Sequence, residues 1–241
     1  FVSSDLGRGR SLDDAPGVVG ISSAEYPPLP DAVLTDPNAG RLDPRRWFPD
    51  PGRPFELEIG SGKGSFLLQH GSANPGTNIL GIEWEPEIYY YAADRIRRRG
   101  LRNVRLLRAD ATEFVRWRCP DGILGVIHLY FSDPWPKKKH HKNRVIQDRF
   151  LLEAHRVLAP GGELRVVTDH DELWAWDEEH FARVTCEDAS TGRPPLFERL
   201  AFAAPEWTEE GETVGTNYER KMCQGRSPHA CVLRRLAGPP R

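Results

Sequence analysis

No stretch of this 241-residue chain approaches the ~18 consecutive apolar residues of a membrane helix, so no span is expected. Residues 1–30 lack the apolar core of a secretory signal, and nothing there predicts export. Cysteine is scarce. The four, Cys119, Cys186, Cys223 and Cys231, stand 67, 37 and 8 residues apart. That spacing gives neither a disulfide framework nor a paired metal-binding motif, and it suits a reducing cytosol. There is one methionine, no internal repeat and no low-complexity tract. Neither charge is in excess: 33 basic against 35 acidic residues leave a formal net charge of −2. This excludes a chain that is basic throughout but says nothing of local patches. What the chain has is aromatic residues, 7 Trp, 10 Phe and 6 Tyr, more than a disordered sequence carries. Its length allows one large domain or two small ones.

Residues 1–54 hold nine of the 21 prolines and show no sustained periodicity. They read as a mobile or surface-wrapping N-terminal extension, and 55–241 as the domain proper. From Phe55 onward, strand-like and helix-like segments alternate. Strands are predicted over Phe55–Ile59, Asn78–Trp84, Asn103–Leu107, Gly125–Phe131, Glu163–Thr168 and His229–Leu236. Helices are predicted from Lys63 to about His70, from Pro86 to a stop at Gly100, and over Thr112–Arg118. Two more are predicted, over Val145–Leu158 before Ala159-Pro160-Gly161-Gly162 and over Asp171–Arg183. This alternation argues for an α/β fold with a parallel sheet covered by helices. Ligands of such sheets sit at the carboxyl ends of the strands.

At the first such end, Glu58-Ile59-Gly60-Ser61-Gly62-Lys63-Gly64 is a glycine turn between a strand and a helix. Its glycines, Gly60, Gly62 and Gly64, are spaced G-x-G-x-G, which is not the dinucleotide fingerprint. An acid beside such a turn would repel a pyrophosphate but suits an ammonium group. Glu83 ends the second strand, where a carboxylate can accept both hydroxyls of a ribose. Asp110 ends the third, within reach of an adenine amino group. Ribose, adenine and a cationic amino-acid tail together describe S-adenosylmethionine. The plain alternative for the glycines alone is an ordinary tight turn; the three acids at successive strand ends favour the cofactor.

The most specific stretch is Phe131-Ser132-Asp133-Pro134-Trp135-Pro136-Lys137-Lys138-Lys139-His140-His141-Lys142-Asn143-Arg144. A buried strand delivers Asp133 to the carboxyl edge, and prolines stiffen its exit. Five cations and two histidines then follow within eight residues. A run of cations is usually a solvated face; directly after a strand-end Asp-Pro-Trp it reads as a phosphate clamp. Adjacent histidines in a lysine run would hold a metal poorly, so none is expected.

At these residues the chain resembles the tRNA (guanine-N7)-methyltransferase family. The resemblance covers about residues 55–236. It rests on the glycine turn, Gly81-Ile82-Glu83, Phe131 to Lys138, Leu158-Ala159-Pro160-Gly161-Gly162, Thr168-Asp169 and Thr216-Asn217-Tyr218-Glu219. It implies a Rossmann-like class I methyltransferase with a mostly parallel seven-stranded sheet. It implies methylation at N7 of a guanine in the tRNA variable loop, with cofactor contacts from Glu58, Glu83, Asp110 and Asp133. Substrate contacts are implied for Lys137, Asp169, Thr216, Asn217, Tyr218 and Glu219. Lys139, His140, His141, Lys142, Asn143 and Arg144 match the family's RNA-interacting loop, although the family usually carries a cation where this chain has Asn143. The expected partner is tRNA, with no membrane and no obligatory protein partner, as a monomer or homodimer in the cytoplasm.

The chemistry is consistent on its own terms. Guanine N7 has a lone pair and no proton, so the attacking atom needs no general base; proximity and in-line geometry suffice. A carboxylate opposite N1–H and N2–H₂ would also offset the positive charge that grows on the base, and Asp133, Asp169 and Glu219 are the candidates. Asp133 is assigned the catalytic role. A strand-end Asp is otherwise often a helix cap. Seven arginines between Arg95 and Arg108 could extend an RNA surface or be paired surface charges. Trp174 and Trp176 read as packing, and Tyr89, Tyr90 and Tyr91 as helix packing and surface. The acids Glu206, Glu209, Glu210 and Glu212 have no evident function. Three rivals are weighed. An amino-group methyltransferase is opposed by the lysine run, a catalytically silent RNA-binding module by the intact glycine turn, and a nicotinamide dehydrogenase by the glycine spacing and Glu58.

Overall fold

The computed structural model describes residues 19–216, 218–221 and 228–237. The chain divides into two compact units, Phe1–Pro120 and Asp121–Arg241. Among the described residues the strands number seven, three in the first unit and four in the second, and most of them pair in parallel.

In the first unit β1 (Phe55–Ile59) leads through the glycine turn into α1 (Ser65–Ala73). Then come β2 (Asn78–Ile82), α2 (Pro86–Arg99) and β3 (Val104–Leu107). The strands lie in the order β3-β2-β1, parallel throughout, with Glu58 opposite Gly81 and Ile82 opposite Leu107. Every residue of β2 and β3 is buried, as parallel strands covered on both faces require. Proline at the first position of α2 begins the helix, and Gly100 at φ 67° ends it. Leu67, Ile79, Tyr89, Ala92, Ile96, Val104 and Leu106 pack into one core cluster. Beyond β3, Ala111–Glu113 forms a single turn, α3, continued by a wider helical turn over Phe114–Arg118.

The described part of the proline-rich segment is packed against this unit. Gly20 bridges Leu106 in parallel at the outer edge of β3, covering unpaired backbone groups. Two buried arginines hold it there. Arg105 donates to the carbonyls of Val19 (3.1 Å), Gly20 (3.1 Å) and Trp47 and to Glu25. Arg118 donates to those of Gly40 (3.2 Å) and Pro27, its guanidinium 4.8 Å from the Tyr26 ring.

In the second unit β4 (Leu124–Tyr130) is followed by α4 (Asp148–Val157), β5 (Leu158–Thr168) and α5 (Asp171–Thr185). Then come β6 (Phe197–Leu200) and β7 (His229–Arg235). Their order is β4-β5-β7-β6, with β4 and β5 parallel and β7 antiparallel to both β5 and β6. Two expectations need correcting. Residues 159–162, expected as a helix stop outside the sheet, belong to β5, with a register shift where Leu124 pairs with Leu158 and Val126 with Glu163. Gly162 fits there because a Cβ would lie 2.9–3.0 Å from three carbonyl oxygens. β6 carries no sequence pattern of its own, being a four-residue strand with two exposed positions, and is absent from the expected elements. Among the described residues no helix is long and apolar enough to cross a membrane.

Candidate active site

The first unit gathers its three expected acids, Glu58, Glu83 and Asp110, and its three glycines, Gly60, Gly62 and Gly64, at the carboxyl ends of β1, β2 and β3. Glu58 is buried, at 4% exposure, and its Oε2 has no hydrogen-bond partner. Burial pushes the Glu58 carboxyl well above its ordinary value, and the Glu83 charge adds to this. The turn after it is held by the Gly60 and Ser61 amides, which donate to the Ile82 carbonyl at 2.9 and 3.0 Å. Gly60 and Gly62 have φ of 72° and 52°, and a Cβ at either would meet nothing within 4 Å. Left-handed backbone demands glycine there, and the open space beside it is what a ligand approaching the main chain would use.

Glu83 accepts from the Gly62 amide through Oε2 at 2.8 Å and from the Glu85 amide through Oε1 at 2.9 Å. It thereby ties β2 to the glycine turn, and each oxygen keeps a lone pair for a further donor. Asp110 caps α3: its Oδ1 accepts from Thr112 N (2.8 Å) and Oγ1 (2.6 Å) and from Glu113 N (3.1 Å), which leaves Oδ2 for a ligand. The helix-cap reading of a strand-end Asp therefore holds for Asp110 without excluding an adenine contact. An orphaned buried carboxylate and two further carboxylates with unused lone pairs, around a backbone open to close approach, fit the ammonium, ribose hydroxyl and adenine amino groups of S-adenosylmethionine.

The second unit brings Asp133 and Asp169 to Tyr218. Its loop out of β4 is strained, with Phe131 at φ 53° and Trp135 at φ 45°. These left-handed conformations in aromatic residues flank Asp133, and such strain concentrates at functional sites. The Phe131 ring lies 5.1 Å from that of Tyr218, whose hydroxyl is 3.4 Å from Asp169 Oδ2. Burial, and then the charges of Asp169 and Asp133, push the Tyr218 phenol up. Tyr218 nevertheless remains 55% exposed.

Glu219 organises its own loop. Its carboxylate accepts from the amides of Val214 and Gly215 at 2.9 Å and from that of Thr213, and its amide donates to Thr216 Oγ1 at 3.1 Å. The acidic cluster, functionless in the sequence, has a structural role: Glu212 and Glu209 pair with Arg220 in the turn that carries Glu219. Asn217 lies outside the described residues.

The basic loop contains a six-residue 3-10 turn, Lys138–Asn143. Lys137, Lys138, Lys139, Lys142 and Asn143 are exposed, and no carboxylate of the described residues lies within ion-pair distance of the four lysines. His140 and His141 are half-buried, packed edge-on to Trp135 and Trp176. Arg144 departs from its expected role as an RNA contact. Its side chain is only 1% exposed. It donates to the Pro134 carbonyl (2.9 Å) and to Glu172 (2.9 Å), with its guanidinium 5.2 Å from the Trp176 ring. Gln147 closes the same turn by donating to the carbonyls of Lys142 and Arg144. Neither Glu172 nor Gln147 stands out in the sequence, because an acid in a first helical turn and a polar residue before a helix are ordinary choices. Trp176 donates to the Ile146 carbonyl, and Trp174 stacks on His229, so both tryptophans pack.

The fold and these sites define a class I S-adenosylmethionine-dependent methyltransferase. Residues 52–225 match the profile of a family described as putative methyltransferase. A 30S ribosomal methyltransferase from an uncultured bacterium superposes with a TM-score of 0.51 over 76% of this chain and 88% of its own, at 11% identity, a likeness of fold alone. The chain is 38% identical over 182 residues, 75% of its length, to the tRNA (guanine-N(7)-)-methyltransferase of Agrobacterium fabrum, of which that is 74%. To the enzyme of the same name from Rhodospirillum rubrum it is 36% identical over 84% of its length and 78% of the relative's. The chain belongs to the tRNA (guanine-N7)-methyltransferase family.

Proposed function

We propose that this protein transfers a methyl group from S-adenosylmethionine to N7 of a guanine in the variable loop of tRNA, in the cytoplasm. The catalytic domain would span residues 55–241, with 1–54 as an extension. The observation that carries the reading is the strained Asp133 exit followed by four exposed lysines that have no carboxylate partner among the described residues, in a chain of this family.

When bound, S-adenosylmethionine supplies an electrophilic methyl group on a sulfonium. Glu58 would bind its ammonium group, which replaces the missing partner of the buried carboxylate and favours its ionised form. Glu83 would accept from the ribose hydroxyls, Asp110 through Oδ2 from the adenine amino group, and Gly60, Gly62 and Gly64 let the main chain approach. Asp133, for which a cofactor contact is also implied, would accept from guanine N1–H and N2–H₂. That contact orients the lone pair of N7 and offsets the charge that grows on the ring, with no proton removed.

Asp169 and Tyr218 would border the base, Lys137 and Thr216 contact the substrate, and Asn217 and Glu219 complete that segment. Lys139, His140, His141, Lys142 and Asn143 would follow the RNA backbone. The deciding test is mass spectrometry of nucleosides from unmodified tRNA incubated with the protein and labelled cofactor. Label in 7-methylguanosine at the variable loop is expected. Label in N6-methyladenosine, or none, would overturn the reading.

A further inference from the structure

We infer that the glycine turn, α2 and the residues just beyond it carry a second phosphate-binding surface for tRNA, made by Lys63 and Arg95 against Tyr91 and continued by Arg99 and Arg102. The inference rests on the proposed tRNA reading and adds to it a binding surface outside the basic loop.

The arginines of this region fall into two groups. Arg97 and Arg98 share one partner, the buried carboxylate of Asp94, which offsets half of their charge. Lys63, Arg95, Arg99 and Arg102 have no carboxylate of the described residues within ion-pair distance, and Lys63, Arg99 and Arg102 are exposed. Lys63 Nζ and Arg95 Cζ each lie 5.7 Å from the centroid of the Tyr91 ring, so both cations share one aromatic ring. Arg95 is further fixed by donating to the Lys63 carbonyl at 2.6 Å and to Ser65 Oγ at 3.3 Å.

Tyr91, Arg95 and Arg99 follow one another at four-residue intervals. They therefore share one side of α2 and extend about 12 Å along it. Like charges four apart weaken a helix, and no carboxylate of the described residues pairs with Arg95 or Arg99 to offset that cost. A line of uncompensated charge suits a polyanionic backbone better than a single small anion, and an RNA strand is such a backbone. The C-terminal position of Arg99 favours the helix dipole, but that accounts for neither Lys63, in a different element, nor Arg102, beyond the Gly100 stop.

The test compares the full chain with a Lys63→Ser, Arg99→Ser, Arg102→Ser variant, which leaves Arg95 to hold the turn. Binding of unmodified tRNA is measured across a salt series, and binding of S-adenosylmethionine by calorimetry reports whether the turn is intact. The expected result is a tRNA affinity lowered about tenfold or more at low salt. The log–log salt slope should be shallower by up to about 0.9 for each phosphate no longer neutralised, with cofactor affinity within about twofold of wild type. An unchanged slope, or weaker tRNA binding only in proportion to weaker cofactor binding, overturns the inference while leaving wild-type methylation of tRNA intact. Failure of the wild-type protein to bind tRNA would instead remove the functional reading, and this surface with it.

Discussion

Arg144 donates from Nε to the carbonyl of Pro134 at 2.9 Å, across ten residues of chain that contain the whole lysine run. The contact closes the basic loop at its base and fixes the peptide that follows Asp133. A buried guanidinium reaching two acceptors at once, Pro134 and Glu172, cannot be replaced by a lysine, which has one point of charge and no planar fork.

Arg144→Lys is therefore expected to lose about 1.5–3 kcal/mol of stability, the range for hydrogen bonds from a charged group. The methyl-transfer rate should fall, and S-adenosylmethionine affinity should stay the same. Urea unfolding and single-turnover kinetics measure the two. A variant as stable and as fast as wild type would show that the loop is held elsewhere.

Glu83 ties β2 to the glycine turn and is proposed to hold the ribose. Glu83→Ala should weaken cofactor binding by about 1.5–3 kcal/mol, read by calorimetry. Unchanged affinity in a folded variant would remove Glu83 from the cofactor site.

Asp177, on α5, is 2% exposed, and its Oδ1 has no hydrogen-bond partner. Burial raises its pKa to about 8, the Arg144 charge opposing and the Glu178 charge adding to the shift. Because the folded value lies above the unfolded one, near 3.8, folding takes up a proton between the two. The stability contributed is complete below about pH 4 and is lost as pH rises towards 8, at up to about 1.4 kcal/mol per pH unit. In Asp177→Asn that loss should vanish. Unfolding measured at pH 5 and pH 8 should show the variant gaining on wild type at the higher pH. A constant difference between the two would mean that Asp177 is ionised in the fold.

The regular elements were readable because their signals are local. Pro86 and Gly100 bound α2 at the residues expected, and β1 runs over the five residues expected. The strand ends bearing Glu58, Glu83 and Asp110 could be read the same way, since a glycine turn or a switch of period marks each. Partnerships set by tertiary contact were not legible. Nothing in Arg144 distinguishes it from the lysines before it, yet its side chain is buried while theirs are exposed. Arg105 likewise reads as part of an RNA surface or as a paired surface charge, and Arg118 carries no signal of its own, yet both hold carbonyls of the proline-rich segment. A long cation lying against backbone carbonyls has the same sequence signature as one in water. β6 escaped for a related reason: it is too short for alternation to show, and its pairing with β7 defines it.

Asp133 is the residue on which the proposed chemistry turns, and Asp133→Asn separates orientation from proton transfer. The substitution keeps the shape, but it turns one acceptor into a donor facing a guanine donor and deletes the compensating charge. Loss of one such fixed electrostatic partner costs on the order of 10²–10³ in rate. The fall should appear in methyl transfer at saturating tRNA and cofactor, more than in either affinity. A required general base would make the wild-type single-turnover rate rise tenfold per pH unit below its pKa. N7 has no proton to give up, so the rate should instead be nearly flat between about pH 6 and 8. Rapid-quench measurements across that window, on wild type and Asp133→Asn, decide the matter. A steep climb in the wild type would restore a proton-transfer role, and full activity in the variant would move the guanine contact to Asp169 or another group.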